Sequence, residues 1–386
     1  RGINKKRTMD LAEGVLTTDA MSVVNDPDID VVVELIGGIS PADELISQAL
    51  KNKKHVVTAN KALVATKGEE LFTLAQENNV VLLYEAAVAG GIPVITTIKT
   101  SLCGNKISKI QGILNGTTNY IITKMTNEGA SFEDVLKQAQ DLGYAEADPT
   151  GDVQGYDAMY KIAILASIAF GKRVNVENIY REGIDKIKTV DIESAKDLGY
   201  SIKLLALAED LGDKGLDIRV HPVLVPLSHS MAHVNDVLNA VLIQGHPVGE
   251  VMLLGPGAGE FPTASSVVGD LVSLVNEMKV TDYPLPMLRC THEEYANIVD
   301  ISETENKFFV HVIAQNHHGV IGVIGDIFGK SNISLSSILQ RGILPDGTAR
   351  IVLMTENSNE SDFNKSLELL KSDKNIKEIV SVIRVN

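Results

Sequence analysis

Asp157 and Lys161 are the residues of this chain whose types and spacing best suit proton transfer. Lys161 stands in the run from Ala158 to Phe170, which is otherwise apolar or small on every face, as in a buried helix. Asp157 lies four positions earlier on the same helical face, and a charge is costly to bury unless it is paired or used. An exposed salt bridge is the alternative interpretation. The apolar surroundings favour a lysine that donates a proton and is held by the carboxylate.

An acidic, turn-rich segment leads into this helix. Glu146 and Asp152 flank Pro149 and Gly151, residues that break regular structure. Beside a buried lysine, such carboxylates indicate the acidic wall of a pocket. An ordinary acidic turn residue is the alternative for Glu146.

Strands and helices alternate up to about residue 97. They are predicted, strand first, at residues 30–35, 41–51, 55–60, 67–78 and 80–88. This order predicts an α/β fold with a doubly wound parallel sheet. Ligands of such sheets bind beyond the carboxyl ends of the strands, which is where Gly37 and Lys61 fall.

Residues 1–97 are therefore interpreted as a partial Rossmann-type dinucleotide-binding domain. A complete domain of this type opens with a strand, a G-x-G-x-x-G turn and a helix. We expect this first βαβ unit to lie ahead of Arg1 in the protein. The run RGINKKR is basic, and no acidic residue near Arg1 is available for a ribose 2′-hydroxyl, which favours NADP over NAD.

Residues 98–300 have the pattern of an α+β catalytic and dimerisation domain. A strand is predicted from Lys106 to Leu114, a helix from about Phe132 to Leu142, and an alternating strand from Leu216 to Leu227. The segment NGTTNYI, Asn115–Ile121, opens a further helix, and Thr117–Asn119 are either helix caps or pocket residues. We expect this domain to carry the pocket and to form the contact of a homodimer or homotetramer.

The acidic turn and the helix after it resemble a signature of the homoserine dehydrogenase family, G-Y-x-E-x-D-P-x-x-D-x-x-G-x-D-x-x-x-K. The pattern is matched at Gly143, Tyr144, Glu146, Asp148, Pro149, Asp152, Gly155, Asp157 and Lys161. The segment NGTTNYI also resembles a stretch of that family near the substrate pocket. The resemblance implies an oxidoreductase that reversibly reduces L-aspartate 4-semialdehyde to L-homoserine with NAD(P)H, in threonine and methionine biosynthesis.

The resemblance also implies roles for the residues of this pocket. Reducing an aldehyde requires a proton for the developing alkoxide, and we predict that Lys161 donates it. Desolvation should lower the pKa of Lys161, while Asp157 opposes that shift and orients the ammonium group. Glu146 and Asp152 are implied to bind the substrate, Glu146 at its amino group. Lys61 fits a second cation near the substrate oxygen and the nicotinamide, and a solvated loop lysine is its alternative.

The cofactor contacts are implied by a second matching segment. Residues 255–270, GPGAGEFPTASSVVGD, resemble the stretch in which the family's chain returns to the cofactor, here at about residues 255–280. Glycines followed by small residues and a helix allow a close approach of backbone to ligand. We expect Gly259 beside the nicotinamide, and Gly37 and Lys61 as further contacts to NADP or NAD.

A third segment resembles the family's site for a monovalent cation such as sodium. The matching residues are Glu85, Val88, Gly90 and Ile92. A hard cation requires oxygen ligands, which backbone carbonyls in a Gly-Gly-Ile-Pro turn can supply. We expect a structural rather than a catalytic role for this cation.

Residues 307–386 are predicted to run strand, helix, strand, strand, helix, strand. This βαββαβ order resembles an ACT domain, a small separate unit that binds amino acids and regulates biosynthetic enzymes, and threonine is the implied effector. The first loop of ACT domains usually reads D-x-P-G, whereas this chain has Asn316-His317-His318-Gly319, which leaves the effector open. The two histidines are either metal ligands or, as we expect, solvent-facing.

Charge and composition exclude several other classes of protein. The chain has 386 residues and a net charge of −15, which argues against binding of nucleic acid or anionic membranes. No run of about 18 apolar residues predicts a membrane span. Cys103 and Cys290 lack the spacing of a disulfide or metal framework, and they fit core-filling thiols of a cytoplasmic protein.

Two other functions stay open at the level of the sequence. One is a non-catalytic amino-acid sensor in which only the carboxy-terminal unit works, and the intact set of Glu146, Asp157 and Lys161 counts against it. The other is a different NAD(P)-linked reductase on the same fold, such as a relative of saccharopine reductase. The NGTTNYI segment counts against that second alternative.

Overall fold

A computed structural model describes residues 11–12, 14–280, 290 and 294–386. The basic run RGINKKR, which favoured NADP, lies outside the described residues. No helix in these ranges is long and apolar enough to cross a bilayer.

The amino-terminal part of the described chain is a parallel sheet with helices against it. Its elements are α1 (Ala20–Asn25), β1 (Val31–Glu34), α2 (Ala42–Lys51), β2 (His55–Thr58), α3 (Lys61–Glu77) and β3 (Leu82–Leu83). β1 pairs with β2 and β2 with β3, both in parallel, which confirms the predicted α/β arrangement. Buried Ile46, Val56 and Leu71 join the helices to the sheet in one apolar core.

Two predicted boundaries in this part are wrong. The third strand is only Leu82–Leu83, because the chain then enters a 3₁₀ turn at Glu85–Ala87. Helix α3 begins at Lys61 rather than Lys67, because the side chain of Asn60 caps it by accepting a backbone N–H of the first turn at 3.1 Å. Lys61 is therefore the first residue of a helix and not a loop residue.

The middle part of the chain alternates helices with the strands of a second sheet. Its elements are α4 (Val94–Thr96), β4 (Lys106–Ile113), α5 (Gly116–Glu128), α6 (Phe132–Asp141), α7 (Thr150–Val153), α8 (Tyr156–Phe170), β5 (Tyr180–Arg181), α9 (Thr189–Asp197), β6 (Tyr200–Asp210), β7 (Leu216–Pro226), β8 (Leu238–His246), β9 (Gly249–Pro256) and α10 (Glu260–Met278). The predicted strands at Lys106 and Leu216 are β4 and β7, and the helix predicted from Phe132 is α6.

The carboxy-terminal part has the predicted order of strands and helices. Its elements are β10 (Glu305–Gln315), α11 (Val320–Lys330), β11 (Leu335–Ile343), β12 (Thr348–Thr355), β13 (Ser358–Asn359), α12 (Glu360–Ser372) and β14 (Ile376–Val385). The short β13 is the one addition to the predicted order within the described residues. Phe308 and Phe363 stack at the centre of a local core, with ring centroids 3.5 Å apart.

Strands of the middle and carboxy-terminal parts form one mixed sheet of eleven strands within the described residues. Its path is β11-β12-β10-β14-β7-β6-β4-β8-β9, with β5 beside β7 and β13 beside β10. β14 and β7 join the two parts in parallel, with Arg384 opposite Val223 and Val385 opposite Leu224. The sheet thus continues from the middle part into the carboxy-terminal part, which also has a local hydrophobic core of its own.

One face of the central strands carries the helices that hold the candidate site. α8 packs across β4, β6 and β7, and α5 packs across β6 and β8. Alternation along β6 turns Leu204 and Ala206 towards these helices, and Leu205 and Leu207 towards the opposite face. The apolar α8 is thus buried as its composition predicted.

After β9 the chain returns to the first sheet. α10 packs against β2 and the turn at Glu85–Ala87, where Val267 shares a core with Val57. A Cβ on Gly90 would lie 2.6 Å from the carbonyl carbon of Gly257, so glycine is required for these two backbones to touch.

The two cysteines differ in their surroundings. Cys103 is exposed, which contradicts the expectation that it fills a core. Cys290 is partly buried, with its Sγ 2.7 Å from the hydroxyl oxygen of Tyr84. Burial raises the pKa of the Cys290 thiol, so this thiol stays protonated at neutral pH.

A buried ion pair joins Arg384 of β14 to Glu360 of α12, and a longer contact of Arg384 reaches Glu182 of the middle part. Arg384 donates from Nε to Glu360 Oε2 at 3.0 Å, and its Nη1 lies 3.4 Å from Glu182 Oε2. The side chains of Arg384 and Glu360 are only 10% and 4% exposed. Removing one partner of such a pair leaves an uncompensated buried charge.

We therefore expect Arg384→Met to lower the free energy of unfolding by about 3 kcal/mol, measured by urea denaturation. The double variant Arg384→Met/Glu360→Met should be less destabilised than Arg384→Met alone, because the deeply buried carboxylate of Glu360 is removed as well and only the more exposed Glu182 loses a contact. Lys365→Met, which breaks the exposed pair of Lys365 with Asp362, should cost less than about 1 kcal/mol. A double variant as unstable as the sum of its single variants would contradict this account.

Candidate active site

Lys161 lies on the second turn of α8 and is 7% exposed. Its Nζ donates to Asp157 Oδ2 at 2.7 Å and to the carbonyl oxygen of Leu114 at 2.7 Å. The pairing predicted from the spacing of four is therefore present, and it is buried. Gly155 starts the helix with a φ of +80°, and its missing side chain leaves room for Val220 and Arg181.

Asp157 also binds a second lysine. Nζ of Lys61 lies 2.5 Å from Asp157 Oδ1, so each carboxylate oxygen faces one ammonium group. Burial alone would raise the pKa of Asp157, but the charges of Lys161 and Lys61 outweigh it and hold this pKa well below its usual range. Asp157 is thus an anion at neutral pH.

The two lysines differ in their electrostatic surroundings. Burial lowers the pKa of Lys161, and the attraction of Asp157 opposes this shift without reversing it. Burial also acts on Lys61, but the charges of Asp157, Asp152 and Glu146 outweigh it, so the pKa of Lys61 is raised. Lys161 therefore releases a proton more readily than Lys61 does. The side chain of Lys61 is 43% exposed, which lets it contact a ligand.

Asn115 holds this cluster together, although no role was assigned to it from the sequence. Its Oδ1 accepts the backbone N–H of Thr118 at 2.8 Å and so caps α5. Its Nδ2 donates to Asp152 Oδ1 at 2.7 Å and to Asp157 Oδ2 at 2.9 Å. The cap is therefore Asn115 and not Thr117–Asn119. An asparagine directly before a predicted helix was the signal that could have identified it.

The other predicted substrate-binding residues, Asp152 and Glu146, lie close enough to Lys61 for their charges to act on it. Asp152 is partly buried, and burial followed by the nearby charge of Asp157 raises its pKa. Glu146 is exposed, and its carboxylate lies near enough to Lys61 to raise the pKa of Lys61. Two carboxylates near Lys61 have the charge needed to bind a cationic group of a ligand.

The predicted cofactor residue Gly37 lies just beyond the carboxyl end of β1. Gly37 and Gly38 have φ values of +79° and +72°, and among the described residues no atom beyond their chain neighbours lies within 4 Å of the position a Cβ would take on either. Buried Glu34 accepts the Gly37 N–H at 3.1 Å, and Asn60 donates to the Gly38 carbonyl at 2.6 Å. These two polar residues were missed, and they fix an open backbone turn that suits a close approach of a dinucleotide.

Gly259 directly precedes α10 and has a φ of +113°. The turn before Gly259 lies against the predicted cation-binding loop, because Gly91 N–H donates to the Pro256 carbonyl at 3.1 Å. Ser266 Oγ of α10 also contacts this loop and donates to the Gly90 carbonyl at 2.7 Å. The free N–H groups of a helix start and an adjacent glycine suit an anionic or polar ligand group. The residues present therefore fit a bound dinucleotide.

Glu85 is one of the residues predicted to form a cation site, and its side chain is used within the protein. Its carboxylate accepts from the backbone N–H groups of Ile95 at 2.8 Å and Thr96 at 2.7 Å, so its charge is used to hold the start of α4. A cation there would therefore depend on backbone carbonyls. Those of Gly90 and Ile92 each accept one hydrogen bond and keep a second lone pair.

The two adjacent histidines do not form a metal site with other described residues. In the part of the chain that the structure describes, no group of three or more His, Cys, Asp or Glu side chains could hold a metal ion. His317 and His318 are exposed, as expected. Nε2 of His317 lies 3.0 Å from Asn375 Oδ1.

Comparisons with known proteins match the whole chain. A family model described as homoserine dehydrogenase matches residues 93–272, and one described as homoserine dehydrogenase, NAD binding domain, matches residues 1–85. A homoserine dehydrogenase of Synechocystis sp. is 48% identical over 391 residues, covering 100% of this chain and 90% of that protein.

Solved structures agree with these matches. The crystal structure of a homoserine dehydrogenase from Thiobacillus denitrificans has a TM-score of 0.90 at 41% identity, covering 96% of this chain and 85% of that one. A hyperthermophilic archaeal homoserine dehydrogenase mutant in complex with NADPH has a TM-score of 0.60 at 30% identity, covering 68% of this chain and 76% of that one.

The double role of Asn115 can be tested by measuring stability. Asn115→Ala should lower the free energy of unfolding in urea by about 2 kcal/mol, because it removes a helix cap and two hydrogen bonds to carboxylates. Asn115→Ser should recover about 1 kcal/mol of this loss, since serine caps the helix but cannot bridge Asp152 and Asp157. Ser131→Ala, which removes the cap of α6 and the exposed contact of Ser131 Oγ with Asp134 Oδ2, is the matched control. Equal stability of the two Asn115 variants would argue against a separate capping role.

Proposed function

Since the chain belongs to the homoserine dehydrogenase family, we propose that it catalyses the reversible reduction of L-aspartate 4-semialdehyde to L-homoserine with a nicotinamide cofactor. The observation that carries the proposed mechanism is the pairing of Asp157 with both Lys61 and Lys161. Reduction of an aldehyde creates an alkoxide, which needs both a proton and nearby positive charge. Family membership also disfavours the sensor and the saccharopine reductase relative as alternatives.

Lys161 is the proposed proton donor. Its ammonium group is buried, and burial lowers its pKa, so giving up the proton removes a charge from an apolar site. Asp157 is proposed to keep the ammonium group oriented, since its carboxylate accepts from Nζ at 2.7 Å. In the oxidative direction the neutral amine takes the proton of the homoserine hydroxyl.

Lys61 is proposed to supply a fixed positive charge. Its pKa is raised by the surrounding carboxylates, so it stays protonated while Lys161 exchanges its proton. Partial exposure allows its Nζ to approach the substrate oxygen. The proposed roles thus follow from the opposite directions of the two pKa shifts.

Glu146 and Asp152 are proposed to bind the ammonium group of the substrate. Both contribute negative charge around Lys61. Burial and the charge of Asp157 raise the pKa of Asp152, and a bound cation would favour the charged form of this carboxylate. Binding the amino acid by its ammonium group would hold the aldehyde carbon in a fixed place.

The match to an NAD-binding domain model supports a nicotinamide cofactor, which when bound supplies the hydride. We propose that Gly37, Lys61 and Gly259 contact it. Preference for NADP is the finer proposal, and the archaeal relative described in complex with NADPH supports it.

Three further features of the family are proposed for this chain. A monovalent cation would bind the backbone carbonyls of Glu85, Val88, Gly90 and Ile92, since the carboxylate of Glu85 is already used. Residues 307–386 would act as an ACT-like unit for an amino-acid effector such as threonine. The chain would work as a homodimer or homotetramer in the cytoplasm.

The proton-donor role predicts a large loss of turnover in Lys161→Met. We expect kcat for NADPH oxidation with aspartate 4-semialdehyde to fall at least about a hundredfold, the size expected for a lost general acid, while NADPH affinity stays near that of the wild type. The matched control is Lys172→Met, an exposed lysine just beyond the same helix. A kcat within threefold of the wild type in Lys161→Met would reject the assignment.

The lowered pKa of Lys161 predicts the pH dependence of the reduction. A proton donor must be charged, so activity should be full below this pKa and should fall as pH rises through it, starting below the range of an ordinary lysine. Asp157→Asn removes the attraction that partly offsets the lowering of the Lys161 pKa. The activity of this variant should therefore begin to fall at a still lower pH. Asp141→Asn, an exposed change on α6, should leave the profile unchanged. A shift of the Asp157→Asn profile to higher pH would contradict the argument.

A further inference from the structure

Asn239, the second residue of β8, is a buried amide that the mechanism above does not use. It is 1% exposed, and among the described residues neither its Nδ2 nor its Oδ1 has a hydrogen-bond partner. Burying an amide costs free energy unless its hydrogen bonds are made elsewhere. An unpartnered amide at this depth therefore needs a structural or functional reason.

The carboxamide of Asn239 lies between two segments that flank the candidate site. On one side it packs against Gly257, where an added Cβ would lie 2.0 Å from Asn239 Cγ. Gly257 stands two residues before Gly259, the proposed contact to the nicotinamide. On the other side, Asn239 Oδ1 lies 3.6 Å from the position that a Cβ would take on Gly116, the first residue of α5. One side chain thus contacts both the cofactor turn and the helix that begins at Asn115.

The backbone that leads into Asn239 is held by buried side chains. Asn119 of α5 donates from Nδ2 to the carbonyl oxygen of Leu238 at 3.2 Å. Lys203 of β6 is 1% exposed and donates to the carbonyl oxygen of Val234 at 2.6 Å. A shift of this backbone would break these hydrogen bonds, so the carboxamide stays fixed between the two segments that it contacts.

We propose that Asn239 is a positioning residue that couples the binding of cofactor to the binding of substrate. This inference rests on the proposed function. With both ligands bound, the carboxamide would form hydrogen bonds with backbone groups of the cofactor turn and of the start of α5. The first ligand orders one of these segments against Asn239, so ordering the other segment costs less. Each ligand should therefore raise the affinity for the other by the same factor.

The test measures the affinity of the full-length protein for reduced cofactor, by cofactor fluorescence, with and without saturating L-homoserine. Homoserine and the reduced cofactor do not react with each other, so this complex is stable. The probe is NADPH or NADH, whichever the wild type oxidises faster with aspartate 4-semialdehyde. We expect homoserine to raise the cofactor affinity of the wild type at least about fivefold.

Two variants remove the carboxamide in different ways. Asn239→Leu keeps a similar volume, and Asn239→Ala adds no atom that could clash. In both variants the gain in cofactor affinity should fall below about twofold. Thermal unfolding of Asn239→Leu should stay near that of the wild type, because an amide without partners contributes no hydrogen bond to the free protein. The matched control is Asn105→Ala, which removes a 3.0 Å hydrogen bond to the turn between β8 and β9 and should keep the gain.

The outcomes separate this inference from the proposed function. A wild type that oxidises neither cofactor with aspartate 4-semialdehyde would overturn the proposed function and this inference with it. In an active wild type, three results would overturn the inference alone: no gain with homoserine, a full gain in both Asn239 variants, or an equal loss of the gain in Asn105→Ala. Loss of thermal stability in step with loss of the gain in both Asn239 variants would indicate structural support alone and would also overturn it.

Discussion

The buried carboxylate of Asp157 is the interaction on which the candidate site depends. Burying a carboxylate is costly, and here the cost is offset by an ammonium group on each oxygen. The two lysines come from different parts of the chain, Lys61 from the parallel sheet region and Lys161 from the helix on the second sheet. One anion therefore joins the region that matches an NAD-binding domain model to the helix on the second sheet.

The two lysines that share this carboxylate have pKa shifts in opposite directions. Lys161 is surrounded by apolar side chains of α8 and the sheet, so desolvation dominates and its pKa is lowered. Lys61 is half exposed and faces two more carboxylates, so attraction dominates and its pKa is raised. Two side chains of one type thus suit two different tasks, transfer of a proton and fixed positive charge. The difference arises from their surroundings and not from their spacing in the sequence.

The sequence predicted those features that depend on short-range patterns. The burial of Lys161 followed from an apolar helix, its pairing with Asp157 from a spacing of four, and the parallel strands from alternating segments. The contact of Lys61 with Asp157 joins residues far apart in the chain, and no local pattern indicates it. The use of the Glu85 carboxylate was not foreseen for the same reason, since it holds the start of a helix later in the chain. The pattern of segments predicted the strands and helices of the carboxy-terminal part. It did not predict the pairing of β14 with β7, which depends on the register between distant strands.

The continuity of the second sheet bears on how the carboxy-terminal part can influence the site. Asp191 of α9 accepts from Ser381 Oγ at 2.7 Å and lies 2.8 Å from His311 Nδ1, so both β10 and β14 hold this helix through one buried carboxylate. α9 in turn packs on α5, which begins at the Asn115 cap. Contiguity alone is not coupling, because a signal needs an element with two arrangements. A shift of β10 against α9 would break the buried contact between His311 and Asp191. A second arrangement of these elements would therefore require a discrete exchange of hydrogen-bond partners and not gradual bending.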